Sequence, residues 1–291
     1  MPFFSLPRSD KLFGVGSPAN SASLHGDADA VLAFKSGVLG AKGYSHRRIE
    51  PRTAMKLACA SSSLHRDIER GELTQLEFLD LCARELACDG VVLDVRHFPR
   101  NDNDYLAQVK KMATDRGLTI AALADPVFFS ATQSSMSEVL AQAAALGAPL
   151  VAAPLARETE FSWAEQLARL GIATGLAKAR NVTLALRNAA ASFAATTHDC
   201  KRVAKEADSA WLRFGPDPAR FDTASDARVL ASNTVLLWSD FTCESKDCSD
   251  MLDAFDGFRG HLVIDDTSGA APVPELRDTV ARWRRAILNR R

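Results

Sequence analysis

Six short apolar runs in this sequence lead into residues that can do chemistry. The polar groups are Asp94-Val95-Arg96-His97, Asp125, Arg187-Asn188, Arg213 with the following Gly215-Pro216-Asp217, Trp238-Ser239-Asp240, and Asp265-Asp266. Aspartates serve as general bases or as ligands for hard cations. Arginines hold anions or polarise carbonyls, and a histidine can relay a proton near neutral pH. If these residues converge, they form a mouth rich in guanidinium and carboxylate, which is costly to desolvate unless it binds something polar. Each residue also has a structural reading. Asp240 and Asp266 suit loop or helix caps, and Asp94 with Arg96 suits an ion pair. His97 suits a plain loop position as well as an acid–base or substrate contact.

Convergence needs a fold that gathers strand ends. From Met55 onward, aliphatic or β-branched runs alternate with longer amphipathic stretches. The runs cover 56–60, 90–97, 118–125, 149–154, 182–188, 211–215, 234–240 and 261–266. The clearest helices cover 74–86, 104–116, 135–146, 162–179, 199–207 and 274–288, with weaker ones at 225–231 and 251–255. Ser162 and Asp199 read as N-caps, and Gly90, Gly117, Gly147 and Gly260 sit where helices hand over to strands. Such alternation implies parallel strands covered on both faces. It predicts an α/β chain of the (β/α)8 TIM-barrel class, parallel and eight-stranded, over residues 55–291. A doubly wound open sheet is disfavoured, because ACASSS at 58–63 is no glycine-rich phosphate loop. Chemistry in such barrels sits at the C-terminal ends of the strands.

The two-residue period of a strand selects which side chains face the lumen. Leu184 and Leu186 should meet the helices, which turns Arg187 inward. Leu262 and Ile264 do the same for Asp265, with His261 inward at the inert end as a satisfied core histidine. Arg213 and Asp217 share one parity, and Asp94 and Arg96 share another, while His97 falls on the opposite face or in the loop.

The composition is that of a globular protein, with 47% hydrophobic and 24% charged residues. The net charge of −1 argues against nucleic acid as a partner. No apolar run reaches the roughly 18 residues of a membrane span, and no secretory segment opens the chain. The expectation is therefore a cytoplasmic protein with no membrane partner and reduced thiols. Its cysteines (Cys59, Cys82, Cys88, Cys200, Cys243 and Cys248) show no CxxC pair, and the first three lie in apolar patterns as small hydrophobes. Residues 1–54 differ in kind. They carry Pro2, Pro7 and Pro18 among Gly and Ser, with a short helix expected at 28–39. They read as an irregular, weakly ordered N-terminal extension, and Met55 could open the chain without cost to the core.

Several stretches carry a family resemblance. GELTQLEFLDLCAR at 71–84 followed by DGVVLDVRHFP at 89–99 resembles the early part of the xylose isomerase-like TIM-barrel superfamily of sugar phosphate isomerases and epimerases. VTLALRN at 182–188 resembles its fifth strand, and GHLVIDD at 260–266 its eighth. The resemblance spans most of residues 55–291. It implies a divalent metal held by a Glu on strand five, an Asp near the end of strand six, a His near strand seven and a Glu on strand eight. Here the strand-five position matches Arg187, a reversal of charge. The strand-six position matches Asp217, strand seven offers Trp238, Ser239 and Asp240 without a His, and strand eight matches Asp265.

A guanidinium at the metal position cannot deprotonate, and its repulsion of a cation at about 4 Å amounts to several kcal/mol. The expectation is no cofactor, or a weakly held Mn, Mg or Zn ion on Asp217, Asp240 and Asp265. Arg187 would instead pair with Asp217 or Asp265, or polarise a substrate carbonyl or carboxylate. Two functions follow. The first is an isomerase or epimerase that abstracts a proton next to the carbonyl of a sugar or sugar acid. Asp217 or Asp265 would act as base and His97 as relay, with Arg96, Arg187, Arg213, Asp94, Asn188 and Trp238 holding substrate. The second is a non-catalytic barrel that binds a sugar-like ligand or a protein partner. A DNA-repair endonuclease of the same superfamily fits poorly, because it needs a histidine-rich mouth. A homo-oligomer is compatible with the sequence.

Overall fold

The computed structural model describes residues 55–223, 226–240 and 245–289. Residues 1–54, with the helix expected at 28–39, and Cys243 lie outside the described residues.

Eight strands form the frame: β1 (Lys56–Ala60), β2 (Gly90–Asp94), β3 (Thr119–Ala124), β4 (Leu150–Pro154), β5 (Thr183–Arg187), β6 (Leu212–Phe214), β7 (Leu236–Asp240) and β8 (His261–Asp265). All pair in parallel, in the order β6-β5-β4-β3-β2-β1-β8-β7. The first and last strands are neighbours, with Lys56 opposite His261, as closure demands. Between β6 and β7 the ladder thins to one bridge, Phe214 to Thr234. There the Val235 N–H donates to the Phe214 carbonyl and the Trp238 N–H to the Pro216 carbonyl, each at 2.9 Å. Pro216 has no N–H to extend a ladder, so β6 stops after three residues. The result is a nearly closed (β/α)8 barrel.

The helices are α1 (His65–Glu69), α2 (Gln75–Arg84), α3 (Asn103–Asp115), α4 (Gln133–Leu146), α5 (Trp163–Arg180), α6 (Thr197–Ala207), α7 (Ser245–Ala254) and α8 (Val273–Leu288). Capping boxes start α2 at Thr74 with Glu77, and α5 at Ser162 with Glu165. The expected cap at Asp199 is corrected: Thr196 caps α6, and Asp199 is its carboxylate partner three residues on. The weak helix expected at 225–231 is a 3-10 run, Asp226–Asn233, while the one expected at 251–255 begins earlier, as α7. Among the described residues no helix is long and apolar enough to cross a membrane.

Alternation along the strands builds two apolar layers. Leu57, Cys59, Val91, Leu93, Leu184, Leu186, Leu262 and Ile264 face the helices, where they meet Phe78, Val109, Leu140, Leu170 and Trp283. Each such buried side chain contributes about 1.5–3 kcal/mol. The lumen is filled by Ala58, Ala60, Val92, Ala152, Ala185, Leu236, Trp238 and Val263. Alanines on β1, β4 and β5 leave room at the mouth for larger side chains. At the bottom the walls close tightly. A Cβ on Gly90 would lie 2.7 Å from the Thr119 carbonyl and 3.0 Å from His261 Nε2.

Candidate active site

A cavity of about 340 Å³ opens at the C-terminal ends of the strands. Its polar wall includes Ser62, His65, Asp94, Arg96, Asp125 and Arg187, continued by Asn188, Arg220, Asp265, Asp266, Thr267 and Ser268. Trp238 and several small residues supply the apolar part.

The wall begins where β1 runs into a 3-10 turn, Ser61–Leu64. Three consecutive serines there tie β1 to its neighbours. Ser61 Oγ accepts the Asp94 backbone N–H at 2.9 Å, Ser62 Oγ donates to Asp265 Oδ1 at 2.6 Å, and Ser63 Oγ accepts the Asp266 N–H at 2.9 Å. From Ser61 a chain of polar atoms runs outward. Ser61 Oγ lies 2.8 Å from His97 Nδ1, His97 Nε2 lies 2.8 Å from His65 Nδ1, and His65 Nε2 lies 3.1 Å from Glu69 Oε1. Glu69 fixes the direction of the protons. A carboxylate needs a donor, so His65 donates from Nε2, and in its neutral form it accepts at Nδ1. His97 then donates from Nε2 and accepts the Ser61 hydroxyl at Nδ1. Burial pushes the His97 pKa down to about 4, so the ring is neutral at physiological pH.

On the next strands, Asp94 is buried and receives Arg96 through two side-chain contacts, Nε to Oδ1 at 3.0 Å and Nη2 to Oδ2 at 2.6 Å. Asp94 raises the Arg96 pKa further, so that guanidinium is permanently charged. Asp125, after β3, accepts the Val127 N–H at 3.0 Å. Burial pushes its carboxyl above the usual carboxylate range, opposed by that hydrogen bond.

The opposite side is built on arginine. Arg187 ends β5 and points inward, as the preceding Leu184 and Leu186 require. Its Nη2 lies 2.7 Å from Asp265 Oδ2, and its guanidinium carbon sits 4.0 Å above the centre of the Trp238 ring. Gly215 makes space for that indole. A Cβ there would stand 3.3 Å from Trp238 Nε1, an atom with no acceptor among the described residues. Asn188 grips the chain after β6 from both sides: its Nδ2 donates to the Asp217 carbonyl at 3.1 Å, and its Oδ1 accepts the Asp217 N–H at 2.7 Å. Asp217 is buried and pairs with Arg220 Nε at 2.9 Å. Burial raises its pKa, against the opposing fields of Arg187 and Arg220.

Asp94, Arg96, Arg187, Asn188, Trp238 and Asp265 therefore meet at one cavity, as their strand positions suggest. Four expected members, His97, Arg213, Asp217 and Asp240, stand apart from its wall. His97 is buried behind His65, its two nitrogens engaged by Ser61 and His65. Arg213 has the expected parity but pairs in register with Ala185, two residues below Arg187, and so lies a layer beneath the mouth. Asp217 reaches the cavity through Arg220. Asp240 is half-buried outside the wall, and Asp266 caps its own loop by accepting Ser268 N and Ala270 N. His65, Ser62, Asp125 and Arg220 line the cavity without having been assigned roles from sequence. Ser61-Ser62-Ser63 directly follows a strand, and Arg220 lies three residues from Asp217; both spacings carry a signal.

Among the described residues, no three His, Cys, Asp or Glu side chains gather to hold a metal ion. No family model matches this sequence, and no curated relative matches it. Solved structures share its architecture. D-psicose 3-epimerase from Clostridium cellulolyticum H10, solved with D-tagatose, superposes with a TM-score of 0.67 at 13% identity, covering 80% of this chain and 99% of its own. The probable 3-DHS dehydratase AsbF from Bacillus anthracis gives 0.64 at 12% identity, over 78% and 98% of the two chains. A xylose isomerase domain protein from Planctomyces limnophilus gives 0.62 at 10% identity, over 82% and 99%. By overall superposition, the chain has the fold of the xylose isomerase-like TIM barrels.

Proposed function

We propose that this barrel binds a small sugar or sugar acid at its mouth and isomerises or epimerises it by moving a proton next to a carbonyl. The observation that carries the reading is Arg187, fixed at the cavity wall by Asp265 on one edge and Trp238 on one face. A preorganised cation aimed into a cavity suits the oxyanion that forms when a carbon beside a carbonyl loses its proton. The arrangement does not fit a divalent metal. Arg187 occupies one oxygen of Asp265, Ser62 takes the other, and Arg220 occupies Asp217. A cation would have to displace a guanidinium that cannot give up its charge.

The base is better assigned to Asp125 than to Asp217 or Asp265. Both oxygens of Asp265 are engaged, and Asp217 stands behind Arg220. Asp125 lines the cavity, and burial raises its pKa, which makes it a stronger base than an exposed aspartate. Its carboxylate takes the proton and Arg187 bears the charge of the enediolate; the hydroxyl proton passes from one enediolate oxygen to the other, and return of the first proton to the neighbouring carbon completes an isomerisation. The near-neutral chain favours such a small-molecule partner over nucleic acid.

The test is deuterium incorporation from D2O into ketoses and keto acids, followed by NMR in the presence of a chelator. Exchange is expected, with losses of about 100-fold or more in Asp125→Asn and in Arg187→Gln. Saturable binding without exchange would favour the second reading, a non-catalytic barrel for a sugar-like ligand. That reading draws on the pairing of Arg96, Arg187 and Arg220 with carboxylates, which is stable without any chemistry.

A further inference from the structure

We infer that the ligand of this cavity carries a single carboxylate, and that Arg220 is the residue that grips it. The inference rests on the sugar or sugar-acid reading of the same cavity and narrows it to the acids.

The three cavity arginines are held in different ways. Arg96 spends its Nε and Nη2 on the two oxygens of Asp94. Arg187 gives Nη2 to Asp265 and one face to Trp238. Arg220 is fastened only at Nε, to Asp217 Oδ2. Its two terminal amino groups meet no acceptor among the described residues, and the side chain is 34% exposed and lines the cavity. The end-on fork of a guanidinium, two parallel N–H groups, matches the two oxygens of a carboxylate.

The anchor behind that fork is rigid. Asp217 is 1% exposed, its Oδ1 accepts the Ala219 N–H at 3.3 Å, and Asn188 clamps its backbone from both sides. A partly desolvated guanidinium, fixed by one edge and open at the other, is preorganised for an anion. The wall also limits the charge of that anion. Asp94, Asp125, Asp265 and Asp266 share it with Arg96, Arg187 and Arg220. A phosphate dianion would meet twice the repulsion from those aspartates that a carboxylate meets.

Three compounds that differ only at C6 test this: D-fructose, D-fructuronate and D-fructose 6-phosphate. Titration calorimetry on the full chain should show D-fructuronate binding at least about tenfold tighter than the other two, the scale of a charge-assisted hydrogen-bonded pair. Arg220→Gln should bring it down to the affinity of D-fructose. Arg220→Lys, which keeps a cation beside Asp217 but loses the fork, should retain part of the preference. Equal binding of all three, tightest binding of the phosphate, no saturable binding, or a preference that survives Arg220→Gln in folded protein would overturn the inference. The two proposals fail separately. Arg220-dependent binding of D-fructuronate without deuterium exchange would sink the isomerase alone. Exchange on D-fructose and D-fructuronate alike, indifferent to Arg220→Gln, would sink the carboxylate grip alone.

Discussion

The two sides of the barrel mouth solve one problem, polar groups withdrawn from water, in opposite ways. At the ends of β1 and β2, Ser61, His97 and His65 satisfy one another through neutral hydrogen bonds that run out to Glu69. At the ends of β5, β6 and β8, fixed charges do the work: Arg187 on Asp265 and Arg220 on Asp217. The neutral side is closed, with both nitrogens of each imidazole occupied. The charged side is anchored at one edge and open at the other, because a guanidinium has more donors than one carboxylate can use. The histidine chain therefore holds shape, and the arginines have donors left for a ligand. The comparison predicts that damage to the charged side is costly and damage to the neutral side is mild.

The largest effect should come from Asp265→Ala. It strands Arg187, whose side chain is only 19% exposed, and leaves the Ser62 hydroxyl without its acceptor. Removing one partner of such a pair costs about 3–5 kcal/mol, read as a lower midpoint in urea unfolding. The double variant Arg187→Met/Asp265→Leu should recover most of that loss, since no charge remains to desolvate. A double variant as unstable as Asp265→Ala would show that packing, rather than the ion pair, organises this side.

Next comes Asn188→Ala. Two hydrogen bonds to the Asp217 backbone disappear, at a cost of about 2 kcal/mol in the same unfolding measurement. If stability stays within about 0.5 kcal/mol, the turn after β6 holds without Asn188, and the rigid anchor assigned to the charged side is lost.

The comparison also explains what the sequence could and could not reveal. Arg187 and Asp265 were legible because the alternating leucines and isoleucine that precede them fix the parity of β5 and β8. The same parity put Arg213 inward but carried no height. Height depends on the register with β5, where Arg213 pairs with Ala185. Once a strand ends, parity ends with it. The contacts of His97 with His65 and of Asn188 with Asp217 are set by how tight turns aim side chains some 30 residues apart. Ionic roles at strand ends can be read locally, but which edge of a guanidinium stays open cannot.

The neutral side should reveal itself through pH. Burial lowers the pKa values of His97 and His261 from 6.5 to about 4. The unfolded chain thus binds protons that the folded chain refuses. Stability is fully present above pH 6.5 and falls as the pH drops toward 4, by at most about 1.4 kcal/mol per pH unit for each histidine. Around His97 the charges of Asp94 and Glu69 oppose the depression, while Arg96, and His65 once it is protonated, add to it. His97→Gln should remove about half of this slope between pH 7 and 5, leaving the share of His261 at the other end of the barrel. An unchanged slope in urea midpoints would mean that His97 takes up protons in the folded protein as readily as in the unfolded chain, and its place in a buried, neutral chain of donors would be wrong.

The smallest effect belongs to the outer end of that chain. Glu69 is 63% exposed, so its contact with His65 is screened, and Glu69→Gln should cost less than about 1 kcal/mol at pH 7. Its readout is the tautomer. With the carboxylate in place, His65 must donate from Nε2. A glutamine can present either its carbonyl or its amide, so His65 becomes free to carry the proton on either nitrogen. Nitrogen chemical shifts of the two imidazoles should show single Nε2–H tautomers for His65 and His97 in the wild type, and a mixture in Glu69→Gln. Fixed tautomers in both proteins would mean that Ser61, held by the Asp94 N–H, sets the direction of the chain from inside the barrel rather than Glu69 from outside.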